Sequence, residues 1–341
     1  MSKKILVLIP VLLLVLAFRV ATNSFHLPKH FPKPVYEFSQ KPLDSNRVLL
    51  GRALFYDPIL SRDSSQSCSS CHSPYNAFAH TDHQLSHGIN DRIGKRNAPA
   101  LMNLAWQKNF MWDGAVNHLD VQALAPISNE LEMDEKLPNI VAKLNRSKFY
   151  PALFRRAFNS NEISGEYILL ALSQFQLTLI SASSKYDSVM LKQSVFNEQE
   201  QRGYALFKRS CNACHTEPLF SNYSYRNNGL PVDTGLRDMG RMTITQNKAD
   251  SLLFKVPTLR NLEFSYPYMH DGRFKRLGEV LNHYTSGIQK SKTLSTELNQ
   301  KIELNSEEKI DLIAFLLTLS DRNFIFNKEF AYPHTVFQSN K

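Results

Sequence analysis

Apolar residues recur at helical spacing along this chain of 341 residues, whereas the alternation typical of strands is rare and short. Two segments, Asn197-Glu-Gln-Glu200 and Asn305-Ser-Glu-Glu308, place a carboxylate three residues after a capping side chain, and each predicts the start of a helix. One face of the second helix is predicted to be buried, and its apolar residues are Ile310, Ile313, Phe315, Leu316 and Leu317. The pattern predicts a mainly α-helical protein.

The two halves of the chain repeat each other. Gly51-Arg-Ala-Leu-Phe55 in the first half matches Gly203-Tyr-Ala-Leu-Phe207 in the second. Further along each half, Phe175-Gln-Leu-Thr-Leu179 matches Phe315-Leu-Leu-Thr-Leu319. Each half is therefore predicted to contain an opening helix, a long loop region and a closing helix, so that one kind of domain is present twice.

The first residues have the pattern of an export signal. Lys3 and Lys4 precede an apolar run that is too short for a standard membrane span and is closed by Arg19. The sequence therefore predicts a protein exported to the periplasm, with this segment either cleaved or kept as a tether to the inner membrane. The predicted order along the chain is a signal peptide or anchor at 1–24, a tether at 25–42, domains at 43–190 and 191–330, and a tail at 331–341.

The charge of the chain does not indicate a nucleic-acid partner. The formal net charge is +9, and loss of Lys3, Lys4 and Arg19 with an export signal would lower it to +6. The chain has no basic stripe with interleaved aromatic residues of the kind that nucleic-acid binding requires. Its hydrophobic content of 43% is ordinary for a soluble globular protein. No nucleic-acid partner is expected.

The four cysteines form two copies of one motif. Cys68-Ser-Ser-Cys71-His72 and Cys211-Asn-Ala-Cys214-His215 are both C-x-x-C-H, the attachment signature of a c-type haem. On a turn of helix the two thiols share a face and can reach one porphyrin, while the histidine can bind the iron as its proximal ligand. A redox pair would not need the histidine, and zinc would have to draw ligands from two distant motifs. The sequence therefore predicts two covalently bound c-type haems.

Further motifs accompany the two haem motifs. They are Arg96-Asn-Ala-Pro99, Phe110-Met-Trp-Asp-Gly114, Lys255-Val-Pro-Thr-Leu-Arg-Asn261 and His270-Asp-Gly272. With them, the chain resembles the bacterial dihaem cytochrome c peroxidase and MauG superfamily over most of its length. The resemblance implies two tandem cytochrome c-like domains, the first with a peroxidatic haem and the second with an electron-transfer haem.

The resemblance assigns roles to residues around the first haem. His72 is implied to be its proximal ligand, with Gln122 and Glu132 as a polar pair on the other side. Glu132 would act on the peroxide by moving a proton, which a carboxyl group can do if burial raises its pKa. His87 aligns with a histidine that caps this iron in resting peroxidases. Trp112 aligns with a tryptophan that lies between the two haems and carries electrons.

The residues alone leave simpler alternatives open. Glu132 lies in an acidic stretch and could be a surface carboxylate. Trp112 could be a core aromatic residue beside Phe110 and Trp106. His87 is distinguished from the neighbouring histidines only by the spacing of the family.

The second axial ligand of the second haem separates the two branches of the superfamily. Classical dihaem peroxidases have a methionine fourteen residues after the histidine of the His270-Asp-Gly272 motif, and here that position is Tyr284, as in MauG. Met269 and His283 are rival ligands. A thioether favours ferrous iron, whereas an anionic phenolate favours ferric and higher states.

The resemblance also implies a calcium ion between the two domains. Its implied ligands are the side chain of Asn97 and the backbone carbonyl groups of Ser265 and Pro267. Oxygen donors are the ligands that a hard cation prefers.

Three functions are compatible with these features. The predicted function is that of an exported peroxidase that reduces hydrogen peroxide to water with electrons from a small cytochrome c or cupredoxin, which enter at the second haem. The alternative is a MauG-like enzyme that uses peroxide to oxidise tryptophan or tyrosine residues of a partner protein. Tyr284 favours this alternative, whereas Trp106 and Trp112 are the only tryptophans and no tryptophan relay to the surface is evident. The third is a dihaem electron carrier, although a carrier would not need Gln122 and Glu132. Family members often pair, so a homodimer is also possible.

Overall fold

The computed structural model describes residues 27–338. The predicted signal peptide or anchor lies outside these residues. The described chain is mainly helical with few strands, which confirms the predicted fold class. Within 27–338, no helix combines the length and the apolar character needed to cross a membrane.

The helices and strands follow the predicted order of opening helix, loop region and closing helix in each half. The α-helices are α1 (Ser45–Tyr56), α2 (Cys68–Cys71), α3 (Leu124–Ser128), α4 (Leu137–Arg146), α5 (Tyr150–Phe158), α6 (Gly165–Leu177), α7 (Lys185–Met190), α8 (Glu198–Ser210), α9 (Met242–Thr245), α10 (Leu277–Asn282), α11 (Ser306–Leu317), α12 (Arg322–Ile325) and α13 (His334–Gln338). Short 3₁₀ helices lie at Pro58–Leu60, Pro74–Asn76, Ile89–Asp91, Leu104–Trp106, Leu119–Val121, Lys248–Asp250 and Thr296–Leu298, and a π-helix follows α10 at His283–Gly287. Strands β1 (Tyr225–Arg226) and β2 (Phe254–Lys255) pair antiparallel.

The first domain is built on the crossing of α1 and α6. A β-carbon at Gly51 of α1 would lie 1.8 Å from the carbonyl oxygen of Ala171 in α6, so only glycine allows the two helices to approach this closely. Next to the crossing, the rings of Phe55 and Phe175 pack edge to face with their centroids 5.2 Å apart. Both rings are fully buried.

The second domain repeats this arrangement with α8 and α11. A β-carbon at Gly203 would lie 1.9 Å from the carbonyl oxygen of Asp311. Phe207 and Phe315 pack beside the crossing with ring centroids 5.1 Å apart. The repeated glycine and phenylalanine of the sequence therefore mark the same helix crossing in both domains.

Both predicted helix starts are confirmed. The side chain of Asn197 accepts a hydrogen bond from the N–H of Glu200, and the side chain of Glu200 accepts one from the N–H of Asn197, each 2.8 Å long. Asn305 and Glu308 make the same reciprocal pair at 2.9 Å. These capping boxes satisfy N–H groups that the first turns of α8 and α11 leave without partners.

The predicted buried face of α11 is partly wrong. Phe315 and Leu316 are buried, but Ile310 is 58% exposed and Leu317 is 41% exposed. The crossing at Gly203 explains the difference, because it turns the side of α11 around Phe315 towards α8. Ile310 and Leu317 lie on the opposite side of the helix and therefore face solvent.

The described part of the predicted tether packs against the first domain. Phe31 is buried and lies edge-on to Trp106, with ring centroids 5.1 Å apart. The N–H groups of Val35 and Tyr36 both donate to the carbonyl oxygen of Ala105 at 2.9 Å. The segment is therefore a strap held by backbone hydrogen bonds and an aromatic contact, which its proline content alone did not indicate.

Buried apolar residues form two cores, and the end of the chain belongs to the first. Phe207 and Phe315 lie in the second core, and Phe55 and Phe175 lie in the first. After Leu319 the chain returns to the first core and buries Phe324, Ile325, Phe330 and Val336 there. The sequence repeat did not predict this return. The predicted limits of the two domains stay a prediction.

We expect Gly203→Ala to destabilise the protein because its β-carbon would meet the backbone of Asp311 rather than a movable side chain. Overpacking of this kind lowers the free energy of unfolding by about 1–3 kcal/mol. Urea denaturation followed by circular dichroism measures the change. Gly278→Ala in α10 is the matched control, because nothing lies within 4 Å of its β-carbon position. Equal stability of the two variants would contradict the role of the crossing.

Candidate active site

One cavity connects the two C-x-x-C-H motifs. It has a volume of about 810 Å³ and is lined by residues of both domains. His72 of the first motif, His215 of the second motif and Trp112 all contribute to its wall. A cavity of this size is in the range of sites that hold cofactors. The fold therefore brings the two predicted haem motifs to one shared space.

The first motif, on α2, prepares its histidine to bind a metal. Nδ1 of His72 lies 2.7 Å from the carbonyl oxygen of Phe78, and because a carbonyl oxygen only accepts, Nδ1 carries the proton. Nε2 is then the unprotonated nitrogen that a metal ion needs. Burial lowers the pKa of His72 to about 4, so the ring is neutral near pH 7.

The second motif repeats this arrangement at the end of α8. Nδ1 of His215 lies 3.2 Å from the carbonyl oxygen of Phe220 and 3.1 Å from that of Pro257. Burial lowers the pKa of His215 to about 4. Both histidines are therefore neutral, with Nε2 free of the proton, as the predicted proximal ligands should be.

No disulfide links the four cysteines, and burial disfavours their thiolate forms. It raises the pKa of Cys68 and Cys211 to about 12 and that of Cys71 to about 11, and it also raises the pKa of Cys214. Redox-active and metal-binding cysteines need a thiolate, which a low pKa supplies. These environments therefore suit covalent attachment of a haem better than a redox pair or a zinc site.

The lining of the cavity also fits a haem at the second motif. Within the described residues, three buried polar atoms on this lining have no hydrogen-bond partner: the hydroxyl oxygen of Tyr223, Nε of Arg226 and Oγ of Ser295. Buried polar atoms are rarely left unpaired in proteins. A haem carries two carboxylate groups that accept hydrogen bonds, so it would give such donors partners.

Gln122 and Glu132 line the cavity together with the first motif. Glu132 accepts a hydrogen bond of 2.7 Å from the side-chain amide of Asn129, and burial raises the pKa of Glu132. Gln122 donates to the sulfur of Met111 at 3.7 Å. Glu132 is thus a partly buried carboxyl group on the cavity wall, which agrees better with a proton-transfer role than with a surface carboxylate.

The ring of His87 lies outside the cavity lining. Its Nδ1 is 2.7 Å from a carboxylate oxygen of Asp91, and the ring stacks on His83 with centroids 4.1 Å apart. Only its backbone lies against the first motif, where the carbonyl oxygen accepts from the thiol of Cys71 at 3.5 Å. In this conformation His87 does not reach the first haem site, and its role as a resting-state ligand stays a prediction.

Trp112 is held from both domains. Its indole N–H donates to the carbonyl oxygen of Asn97 at 2.9 Å, and its own carbonyl oxygen accepts from the N–H of Lys255 in β2 at 2.7 Å. The next residue, Asp113, is bound by Arg96 at 2.6 Å. The Trp112 ring is therefore fixed on the wall of the shared cavity, where the predicted electron-carrying residue should lie.

Arg96 and Lys255 lie near Trp112 and belong to two of the sequence motifs, but the sequence assigned them no role. Arg96 binds Asp238 of the second domain at 2.6 and 2.8 Å as well as Asp113. Nζ of the partly buried Lys255 donates to the side-chain oxygen of Gln107 at 2.6 Å and to the carbonyl oxygen of Asn109 at 2.9 Å. Burial lowers the pKa of Lys255 to about 7. The only signal in the sequence was the presence of Arg96 and Lys255 in those motifs.

The predicted calcium ligands lie on the same wall of the cavity. Asn97, Ser265 and Pro267 all line it, and Asn97 is joined to the second domain by its N–H, which donates to the carbonyl oxygen of His270 at 2.7 Å. Among residues 27–338 no cluster of three or more histidine, cysteine or acidic side chains could hold a metal ion. The predicted site would instead use amide and carbonyl oxygens, and it stays a prediction.

Tyr284 and Met269 both line the cavity near the second motif, whereas His283 does not. Tyr284 lies in the π-helix after α10, and burial raises its pKa to about 12. The side chain of Asn228 contacts the Tyr284 hydroxyl and donates to the sulfur of Met269 at 3.5 Å. Nε2 of His283 is used in a 3.0 Å hydrogen bond to the carbonyl oxygen of Asn228. The geometry leaves Tyr284 and Met269 as candidate axial ligands.

The buried amine of Lys255 predicts a pH dependence of stability. The pKa of lysine is about 10.4 in an unfolded chain and falls to about 7 here, so between these values the unfolded chain binds a proton that the folded protein lacks. Stability therefore rises with pH from about 7 to 10, with a limiting slope of about 1.4 kcal/mol per pH unit.

Lys255→Met should remove this rise, as measured by urea denaturation across the pH range. Lys248→Met is the control, because Lys248 is an exposed lysine. If wild-type protein and Lys255→Met had parallel stability curves, the buried-amine interpretation would be wrong.

Comparison with known proteins agrees with this site. Residues 45–195 match the di-haem cytochrome c peroxidase family. The chain is 37% identical over 305 residues to the methylamine utilization protein MauG of Methylorubrum extorquens, covering 86% of this chain and 83% of MauG. It is 36% identical over 287 residues to cytochrome c551 peroxidase of Nitrosomonas europaea, covering 82% of this chain and 81% of the peroxidase.

A solved structure shows the same fold. The crystal structure of a MauG-like protein associated with microbial copper homeostasis superposes with a TM-score of 0.82 and 32% identity, over 90% of this chain and 98% of the other. The sequence resemblance is thereby confirmed along with the two-haem architecture that it implied. The chain belongs to the di-haem cytochrome c peroxidase family and is an oxidoreductase of the peroxidase type that carries two c-type haems.

Proposed function

We propose that this protein uses hydrogen peroxide to oxidise tryptophan or tyrosine residues on a partner protein. The position of Tyr284 carries the proposal. Its hydroxyl lines the shared cavity near the second haem motif. A phenolate ligand favours ferric and higher oxidation states, whereas the methionine of an electron-storing haem favours the ferrous state. A tyrosine-ligated second haem would therefore suit the storage of oxidising power rather than of electrons.

The residues at the first motif would manage the protons of the reaction. The first haem, when bound, supplies the iron at which peroxide reacts. Glu132 would take a proton from one oxygen of the peroxide and return it to the other, so that water can leave. Asn129 holds the Glu132 carboxyl in place, and Gln122 offers an amide on the same cavity wall. Trp112, held on the wall of the cavity that both motifs share, would provide the path for electrons.

Reduction of peroxide to water with electrons from a small cytochrome c or cupredoxin is the second candidate function. The observation that favours it is Met269, whose sulfur lies on the cavity wall within reach of Asn228. A methionine ligand would make the second haem an entry point for electrons. A plain electron carrier does not agree with membership of a family of peroxidases.

We also propose export to the periplasm and a calcium ion between the domains. Export to the periplasm rests on the signal-like residues 1–24, and covalent haem attachment outside the cytoplasm supports it. A calcium ion between the domains rests on the shared wall position of Asn97, Ser265 and Pro267. The MauG-like protein of similar structure is associated with copper homeostasis, so a copper-binding protein is a sensible first partner to test.

The two candidate functions differ in what happens to the partner. The holoenzyme is mixed with peroxide and either a candidate partner protein or reduced cytochrome c. We expect mass spectrometry to find covalent oxidation of tryptophan or tyrosine in the partner, and only slow oxidation of cytochrome c. Rapid turnover of cytochrome c without any covalent change in the partner would overturn the proposal in favour of the second candidate.

Tyr284→Met should raise the reduction potential of the second haem, because a thioether replaces an anionic oxygen. The shift should be a sizeable part of the roughly 0.8 V that axial ligands span in proteins. The optical spectrum should also gain a methionine–iron charge-transfer band that the wild-type protein lacks. Met269→Leu is the paired variant. If Met269→Leu rather than Tyr284→Met changes the potential, Met269 is the ligand.

Glu132→Gln should slow the reaction with peroxide by about 10²–10⁴-fold, the usual contribution of a positioned acid–base group. The carboxylate form takes the first proton, so the wild-type rate should fall as pH drops through the raised pKa of Glu132. Stopped-flow absorbance at the Soret band measures both effects. Glu130→Gln, an exposed neighbour, is the control. An unchanged pH profile in Glu132→Gln would remove the role of this carboxyl.

A further inference from the structure

Tyr266 is an exposed residue in a segment that lines the shared cavity. Ser265 and Pro267, the two neighbours of Tyr266 in the chain, both line the cavity, as does Tyr268. Tyr266 itself is 42% exposed to solvent. Consecutive Cα atoms are less than about 4 Å apart, so the exposed Tyr266 lies within one residue of two positions that line the cavity.

The other exposed tyrosines do not share this position. All 13 tyrosines lie within the described residues, and apart from Tyr266 only Tyr75 and Tyr332 are exposed, at 57% and 41%. Tyr75 lies on a 3₁₀ helix beside Phe326, with ring centroids 6.5 Å apart, and Tyr332 packs against Phe337 at 5.2 Å. Neither tyrosine lines the cavity or has neighbours in the chain that do.

The need of an oxidised phenol for a proton acceptor determines which tyrosine can hold an oxidising equivalent. A phenol that gives up an electron also gives up its proton, so it needs a proton acceptor. The hydroxyl of Tyr268 donates to the carbonyl oxygen of Leu262 at 2.9 Å, and a carbonyl oxygen is a poor base. The exposed Tyr266 can release its proton to water. Tyr268 therefore offers an aromatic ring on the cavity wall, and Tyr266 offers an exposed ring on which the oxidising equivalent can stay.

We infer that Tyr266 is the surface residue through which the enzyme takes electrons from its partner, and that the partner presents an exposed tryptophan or tyrosine to this face. The inference rests on the proposed function and adds its docking site. Glu263 and Phe264 lie just before Tyr266 in the chain. Arg322 forms an ion pair with Glu263, with nitrogen and oxygen 3.5 Å apart, and its guanidinium lies over the ring of Phe264.

The electrons and protons balance. Hydrogen peroxide takes two electrons and two protons to give two molecules of water. Tyr266 supplies each electron in turn, releasing its phenolic proton to water, and regains an electron and a proton from the aromatic side chain of the partner. The partner thus loses two electrons and two protons for each peroxide consumed, and Tyr266 is unchanged at the end.

The test traps the radical at the surface without needing the partner. The holoenzyme is treated with peroxide and the spin trap DMPO, digested and mapped by mass spectrometry. We expect the main adduct on Tyr266, at least a tenfold loss of total adduct in Tyr266→Phe, and recovery in Tyr266→Trp, because an indole can also be oxidised. Tyr332→Phe is the matched control and should leave the adduct on Tyr266 unchanged. Circular dichroism melts of all variants check folding.

The outcomes separate this inference from the proposed function. If the Soret bands of the wild-type protein respond to peroxide but the adduct lies on Tyr75 or another residue, the inference is wrong and the proposed function stands. The same holds if Tyr266→Phe keeps the full yield of adduct. If peroxide leaves the wild-type Soret bands unchanged, the enzyme makes no oxidant, and both the proposed function and this inference fail.

Discussion

The hydrogen bond from the N–H of Lys255 to the carbonyl oxygen of Trp112, 2.7 Å long, joins a loop of the first domain to a strand of the second. The shared cavity depends on this contact, because Trp112 forms part of its wall. Arg96 strengthens the same joint by binding Asp113 in one domain and Asp238 in the other. Since Arg96 is partly buried, these charged hydrogen bonds are stronger than surface ion pairs. Together with the Asn97–His270 hydrogen bond, this joint holds the two haem motifs at one shared cavity.

Much of the fold could be predicted because its determinants are local. Capping boxes join residues three apart, so the starts of α8 and α11 were readable from sequence. The return of Phe324 and Val336 to the first core was not, because it depends on contacts between residues far apart in the chain. The prediction that Ile310 is buried was wrong for a related reason. Its helix is apolar on more than one side, and only the crossing at Gly203 decides which side is buried.

The candidate site was likewise only partly predictable from the sequence. The haem motifs are short and chemically specific, so spacing alone was enough to predict them, and Glu132 and Trp112 were found through the motifs around them. The direction of a side chain is harder to predict. The ring of His87 is turned by Asp91 and His83, and neither contact follows from the family spacing. Spacing pointed to Tyr284, yet Asn228 brings Met269 to the same place through a tertiary contact that sequence does not reveal.

The return of the C-terminal segment has a consequence for the order in which the two cores form. Arg52 of α1 donates to the carbonyl oxygens of Lys328 and Ala331, and Tyr56 donates to that of Phe330. The first core therefore cannot close during synthesis until the residues up to Val336 have been made. Within the described residues, the second core ends at Leu319, so the half that is made last can complete its core first.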